Sequence, residues 1–471
     1  MDGQRAIARR LVVGLPPGGL TPAWERDFAA FSPAGVIVFR RDFAELAALR
    51  SLTRRLRDLA RPRRIFIAVD EEGGFVSQLA GLLAVPPNAT LLARGVAPGD
   101  IEWASRVTGE RLRSLGVDWV FAPTADIHSQ PSNPVIGPRA FGTEPSAVSR
   151  GVGEALRGFR AAGVASCLKH FPGHGDTVLD SHLALPRCDA PAELLERREL
   201  APFRDHMDAD SVMTAHVVYP ALDAERPATF SRAITHGLLR ERLGFQGVAI
   251  TDALEMKGAT EGRGTTEAAW LALEAGCDLL LFAFHDEEVR RARLALADLL
   301  VDGKINRVNF DAARPRLMAF DQRIPEPSAE ELARPLESLT PPDWEARLEA
   351  IVECGLRVTG SLPAAAAAGP WRVSEPEFPY GPTLREELAK LGVLVSDGGP
   401  VLEVVAVMSR VPLPDAEIER LRALCRARPT GLIGLQNDIF LDALPDAALR
   451  ISAADATPLT RRVVARRLAG R

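Results

Sequence analysis

The chain has 471 residues and a formal net charge of -5, from 57 basic and 62 acidic residues; 46% of it is hydrophobic and 25% charged. These ordinary globular values exclude a disordered chain, a collagen-like chain and a disulfide scaffold. No apolar run reaches the length of a membrane span, no basic tract of the nucleic-acid type occurs, and MDGQRAIARRLVVGLPPGG lacks the apolar stretch of a signal peptide. A cytoplasmic protein is expected, with neither nucleic acid nor membrane as a partner.

Eight strand-like apolar runs come in order before residue 290. They are Leu11–Leu15, Gly35–Phe39, Ile65–Val69, Val117–Phe121, Val164–Leu168, Ser211–Ala215, Gly247–Thr251 and Asp278–Phe282. Amphipathic stretches of helical period, such as EWASRVTGERLRSLG and SAVSRGVGEALRGFRAAG, separate most of them. Near-continuous apolar strands alternating with helices predict a parallel sheet, and eight such units predict an α/β fold of the TIM-like (β/α)8 barrel type. A doubly wound open sheet is the competitor, but no GxGxxG or GxxxxGK[ST] loop follows the first run. The barrel is expected over 1–321. A Pro- and Glu-rich linker follows over 322–345, then a smaller α/β, αβα sandwich-like domain over 346–471. In that tail EARLEAIVECGLRV predicts a helix and SLPAAAAAGPW a loop. VLEVVAVM, TGLIGL and ALRIS predict strands, and PDAEIERLRALCRA and TPLTRRVVARRLAG predict helices. The five cysteines (Cys167, Cys188, Cys277, Cys354 and Cys425) form no CxxC pair and read as structural thiols.

Chemistry-bearing residues gather directly after the runs. Asp70 follows the third, Asp126, Asn133 and Arg139 lie beyond the fourth, Lys169 and His170 follow the fifth, His216 the sixth and Asp252 the seventh. In a barrel these positions share the C-terminal rim, where active sites are built. The segment LKHFPGHGDTVLDSHLALP is the richest, with His170, His174, Asp176, Asp180 and His182 on a Pro/Gly loop. Asp180 and His182 are two apart. In an extended stretch both side chains point the same way, so the carboxylate can hold one ring nitrogen and leave the other for proton transfer. Asp252 can be a nucleophile, a metal ligand or a hydroxyl binder, or simply a helix N-cap. With a nearby acid/base it suits double displacement at an anomeric carbon. Asp70 can accept from vicinal hydroxyls, Lys169 can donate to one, and Gly73 and Gly74 permit a close backbone approach to a ligand. Arg139 can clamp a hydroxyl or a carboxylate.

Together KHFPGHGDTVLDSH, VDEEGG, FAPTADIHSQPSNPVIGPRAFG, VMTAHVVYP and GFQGVAITDALEMKGA resemble glycoside hydrolase family 3, and more closely its β-N-acetylglucosaminidase branch. The resemblance spans about residues 8–320. It implies a retaining β-N-acetylhexosaminidase with Asp252 as nucleophile and His182, oriented by Asp180, as acid/base. It also implies that Asp70, Arg139, Lys169, His170 and His216 bind the sugar, with no cofactor and no metal. Cell-wall-derived glycosides are the substrates that it suggests. Relatives usually read VDxEGGRVxRL, and here Phe75 and Gln78 replace the two arginines. Alternatives are another sugar preference, transfer to phosphate, a zinc hydrolase using His170 and His174 with Asp180, His182 or Asp252, and a sugar-binding protein without catalysis.

Overall fold

The computed structural model describes residues 3–363, 369–398 and 400–470. Internal contacts divide the chain into two units. The first comprises Met1–Glu71, Glu102–Ile127 and Glu144–Leu339; the second comprises Glu72–Ile101, His128–Thr143 and Thr340–Arg471. Two segments of the expected barrel region, 72–101 and 128–143, thus belong by contact with the C-terminal residues.

In the first unit a strand starts within each of the eight predicted runs, and the fifth extends beyond its run. These are β1 (Leu11–Val13), β2 (Gly35–Ile37), β3 (Phe66–Val69), β4 (Trp119–Val120), β5 (Cys167–Phe171), β6 (Ser211–Thr214), β7 (Val248–Thr251) and β8 (Leu280–Phe282). All pairings are parallel. They form a five-stranded sheet in the order β8-β1-β2-β3-β4 and a three-stranded sheet β7-β6-β5. Isolated parallel bridges Trp119↔Ala165, Thr124↔Lys169 and Ile250↔Leu279 connect the two sheets. One apolar cluster draws on all eight strands, with Val12, Ile37, Ala68, Trp119, Cys167, Met213, Ile250 and Leu281 among its members. Phe320, from the helix Arg314–Arg323, joins the same cluster. Burial of strands on both faces is why they read as continuous apolar runs.

The fifth strand departs from expectation. It begins at Cys167 and runs to Phe171, so Lys169 and His170 lie within it rather than after it. Its pairing with β6 shifts register: Leu168 faces Val212, yet Phe171 faces Thr214. Three residue steps on β5 therefore oppose two on β6. Such a bulge re-aims side chains, and bulges are common beside active sites.

In the second unit a five-stranded sheet follows the order β9-β13-β12-β11-β10. The strands are β9 (Arg357–Gly360), β10 (Trp371–Ser374), β11 (Leu402–Val407), β12 (Thr430–Gly434) and β13 (Leu449–Ser452). Only the β9–β13 pairing is antiparallel. Along β11, Leu402, Val404 and Ala406 enter a cluster with Leu388 and Val464, while Val405 enters another with Leu421. Alternation of this kind buries both faces of a sheet under helices, here Leu384–Lys390 and Pro458–Leu468 against one and Asp415–Ala427 against the other. The predicted helix over EARLEAIVECGLRV stops at Gly355, and β9 takes its last residues. Within the predicted loop SLPAAAAAGPW, 364–368 lie outside the described residues. Its last residue, Trp371, starts β10. No helix among the described residues is long and apolar enough to cross a membrane.

Candidate active site

The ends of β3 to β7 carry the polar residues of the first unit. Lys169, only 2% exposed, donates from Nζ to Asp70 Oδ1 at 2.7 Å. A buried ammonium needs such a partner, because desolvation of an unpaired charge costs several kcal/mol. Asp126 lies in the loop after β4 and is fully buried. Its carboxylate accepts from the backbone N–H of His170 and of His174, and lies 2.7 Å from His170 Nδ1. Burial would raise the Asp126 carboxyl, but the charge and hydrogen bond of His170, with help from His174, hold it below the usual carboxylate value. The bond at Nδ1 fixes the ring of His170.

Asp180 and His182 pair as their spacing predicts, with Nδ1 of His182 2.7 Å from Asp180 Oδ1. The local conformation is different from the extended stretch that was expected. The same Asp180 oxygen accepts the backbone N–H of His182 at 2.9 Å, and the Asp180 carbonyl accepts from Leu183 and Ala184. This is an Asx turn, in which aspartate bonds its own backbone two residues on. The result leaves Nε2 as the ring nitrogen not facing Asp180, on a side chain that is 62% exposed.

Asp252 directly follows β7 and receives the N–H of Ala253 at 2.7 Å. Burial would raise its carboxyl, yet the charges of His170 and His216, the Ala253 N–H and the charge of His182 hold it below the ordinary value. The carboxylate is thus ionised at neutral pH and within electrostatic reach of three histidines. His216 is 1% exposed and both its nitrogens are engaged, Nε2 with the Ala253 carbonyl at 3.1 Å and Nδ1 with Thr229 Oγ1 at 2.9 Å. A carbonyl only accepts, so Nε2 carries the proton. His216 braces the peptide that follows Asp252.

Arg139 belongs to the second unit. It makes a two-pronged pair with Glu72, at 2.9 and 2.8 Å, and also donates to the Val135 carbonyl. The planar fork suits this bidentate geometry. The loop around Arg139 is fixed from within the same unit. Asn133 Oδ1 accepts from Val135 and Ile136, Thr90 donates to the Ala140 carbonyl, and Asn437 donates to the Pro131 carbonyl.

Gly73 and Gly74 serve the chain itself. Gly74 has φ 53°, and a Cβ there would sit 1.9 Å from Asn88 Oδ1, which instead accepts the N–H of Phe75. Asn88 in turn bonds Ala454 and Asp455. The close approach foreseen toward a ligand is made to Asn88. Phe75 packs, partly buried, against the core of the β9–β13 sheet.

The zinc reading needs His170 and His174 as ligands. His170 Nδ1 is held by Asp126, and the two nitrogens of His174 lie 3.0 Å from Thr177 Oγ1 and Ser181 Oγ. Among the described residues, no group of three or more His, Cys, Asp or Glu is arranged to hold a metal ion.

Sequence reasoning alone left Glu72 and Asp126 without a role of their own and offered His174 only as a zinc ligand. Glu72 carried no signal beyond its place in VDEEGG. The two buried groups did carry one, because an acid after a strand and a histidine flanked by glycines both sat in the motif. Glu255 is a further case: three residues past Asp252, its carboxyl is pushed up to about 7 by burial, although it accepts the Phe284 N–H.

Parallel strands with acids and imidazoles gathered at their ends place the first unit among α/β proteins that build a site on the strand ends. The profile of the Glycosyl hydrolase family 3 N terminal domain matches residues 27–320. The chain belongs to glycoside hydrolase family 3. It is 35% identical to Beta-hexosaminidase A of Pseudoalteromonas piscicida over 339 residues, covering 66% of this chain and 56% of that protein. It is 38% identical over 325 residues to a Beta-hexosaminidase of Chromobacterium violaceum, covering 65% and 90%. Among solved structures it is similar to a family 3 beta-N-acetylglucosaminidase from Paenibacillus sp. str. FPU-7. The identity is 31%, the TM-score 0.89, and the coverage 99% of this chain and 96% of that one.

Proposed function

We propose that this protein is a retaining exo-β-N-acetylglucosaminidase, releasing terminal β-linked N-acetylhexosamine from glycosides such as cell-wall fragments. The two sheets of the first unit are inferred to close as one eight-stranded barrel, with β1–β8 in sequential order. Asp252 is the nucleophile. It attacks the anomeric carbon as the glycosidic C–O bond breaks, and protonated His182 gives its Nε2 proton to the departing oxygen. Neutral His182 then takes a proton from water, whose oxygen attacks the anomeric carbon, and Asp252 leaves as a carboxylate. Asp180 keeps the imidazole oriented through Nδ1. Asp70, Lys169 and His170 bind sugar hydroxyls, and His216 supports the site by bracing the peptide after Asp252.

The observation that carries this reading is the pairing of Asp180 with His182 Nδ1, in a unit where His182 lies within electrostatic reach of an ionised Asp252. Names of relatives at 35% and 38% identity support the hexosamine preference.

A 2-fluoro or 5-fluoro glycoside trap followed by peptide mass spectrometry tests the covalent step. The expected result is a glycosyl adduct on Asp252; an adduct elsewhere, or none with turnover intact, removes the assignment. Aryl glycosides that differ at C2 and C4, assayed with and without phosphate, then separate hexosamine from hexose and water from phosphate.

A further inference from the structure

The turn that carries the acid/base pair has little apolar material to hold it. Val178, Leu179 and Leu183 are 58%, 48% and 77% exposed. Between Asp180 and His182, however, Ser181 is 2% exposed. Its Oγ lies 3.0 Å from Nε2 of His174, and its carbonyl accepts the Gly258 N–H at 2.9 Å. Gly258 lies just beyond Asp252, and a Cβ there would come within 3.1 Å of the Ser181 carbonyl and 3.0 Å of the His216 Cβ. The approach depends on glycine.

His174 is 1% exposed and tied on every side. Its N–H donates to Asp126 at 2.6 Å, and its Nδ1 lies 3.0 Å from Thr177 Oγ1, which also donates to the His174 carbonyl at 3.2 Å. A threonine hydroxyl has one proton. If it goes to the carbonyl, Nδ1–H donates to Thr177 and Nε2 accepts from the Ser181 hydroxyl. This arrangement satisfies all three contacts. Burial, with the charge of His170, pushes His174 down to about 4, which keeps the ring neutral and Nε2 free to accept.

We propose that Ser181, held by His174, is a positioning residue that sets where the Asp180–His182 pair stands relative to Asp252. The proposal rests on the acid/base assignment of His182. Asp126 ties the system together, because the carboxylate that receives the His174 N–H also holds His170. The strand-borne part of the site and the turn-borne acid/base therefore share one buried anchor. Small displacements of a reacting group are costly in rate, about a hundredfold for an ångström.

The test is Ser181→Ala, assayed on aryl β-N-acetylglucosaminides with good and poor leaving groups below the melting temperature of the variant. A fall in kcat of about ten- to a hundredfold is expected, with KM nearly unchanged and the larger loss on the poor leaving group. Azide, which attacks the glycosyl-enzyme without a general base, should restore turnover on the good one. Ser181→Thr keeps the hydroxyl and should keep most activity. In a His182→Ala background, Ser181→Ala should add nothing further. Wild-type kcat for Ser181→Ala beside a deficient His182→Ala overturns the positioning role alone. So does a loss of equal size in both backgrounds, or one that azide does not restore. An undiminished His182→Ala instead removes the acid/base assignment on which the proposal rests.

Discussion

Two parts of the first unit solve opposite problems. The β5 part, with Lys169 and His170, is buried and paired with carboxylates: the ammonium with Asp70, the imidazole Nδ1 with Asp126. The Asp180–His182 part stands on a turn, with an imidazole more exposed than covered. Groups that only bind and orient gain from rigid partners in a dry setting. A group that must give up a proton and then take one from water needs solvent access and only one fixed nitrogen. The difference teaches that one motif, KHFPGHGDTVLDSH, codes for two mechanical environments joined by its central histidine.

Asp252→Ala is the most severe test, since both parts depend on the same reaction. Turnover should fall at least about a thousandfold; near-normal rates would break the common site. His182→Ala should cost about 10²–10⁴-fold on a poor leaving group and much less in glycosylation by a good one, as resolved by burst kinetics. Equal losses on both substrates would place the turn among the binding elements instead.

Stability should divide the two parts in the other direction. Asp126→Ala strips the partners from two N–H groups and an imidazole in the interior. It should cost about 3 kcal/mol or more in denaturant melts. His182→Ala, at an exposed position, should stay within about 0.5 kcal/mol of wild type. Equal costs would erase the contrast between the parts.

The last test concerns Glu255, whose effect is confined to one pH window. Its folded carboxyl stands at about 7 against an ordinary 4.5. A raised acid contributes stability that is fully present below the ordinary value and is lost as pH rises through the folded one. Relative to Glu255→Gln, the wild type should therefore weaken between about pH 4.5 and pH 7 and level off above. Parallel melting curves across that window would show that the group ionises freely.

The strands were legible because a sheet buried on both faces leaves unbroken apolar runs, and a strand starts within each of the eight. The reach of β5 was not legible. Apolarity ends at Leu168, while the ladder continues through Lys169 and His170, which are buried by ionic partners distant in sequence. The Asp180–His182 pairing followed from spacing, but the Asx turn that makes it did not, because an i, i+2 separation fits extended and turned backbones alike. β9 escaped notice for a different reason: its edge position leaves Arg357, Thr359 and Gly360 exposed, with no alternation to read. The Arg139–Glu72 fork joins residues 67 apart, and nothing local in either segment announces the other.

Phe75 has a consequence for any attempt to alter this segment. It is a partly buried side chain packed against the core of the β9–β13 sheet. Phe75→Arg would therefore exchange aromatic contact with aliphatic neighbours for a guanidinium that must bend toward solvent. The VDEEGG segment is thus coupled to the C-terminal sheet through one ring, and edits to either should be made with the other in view.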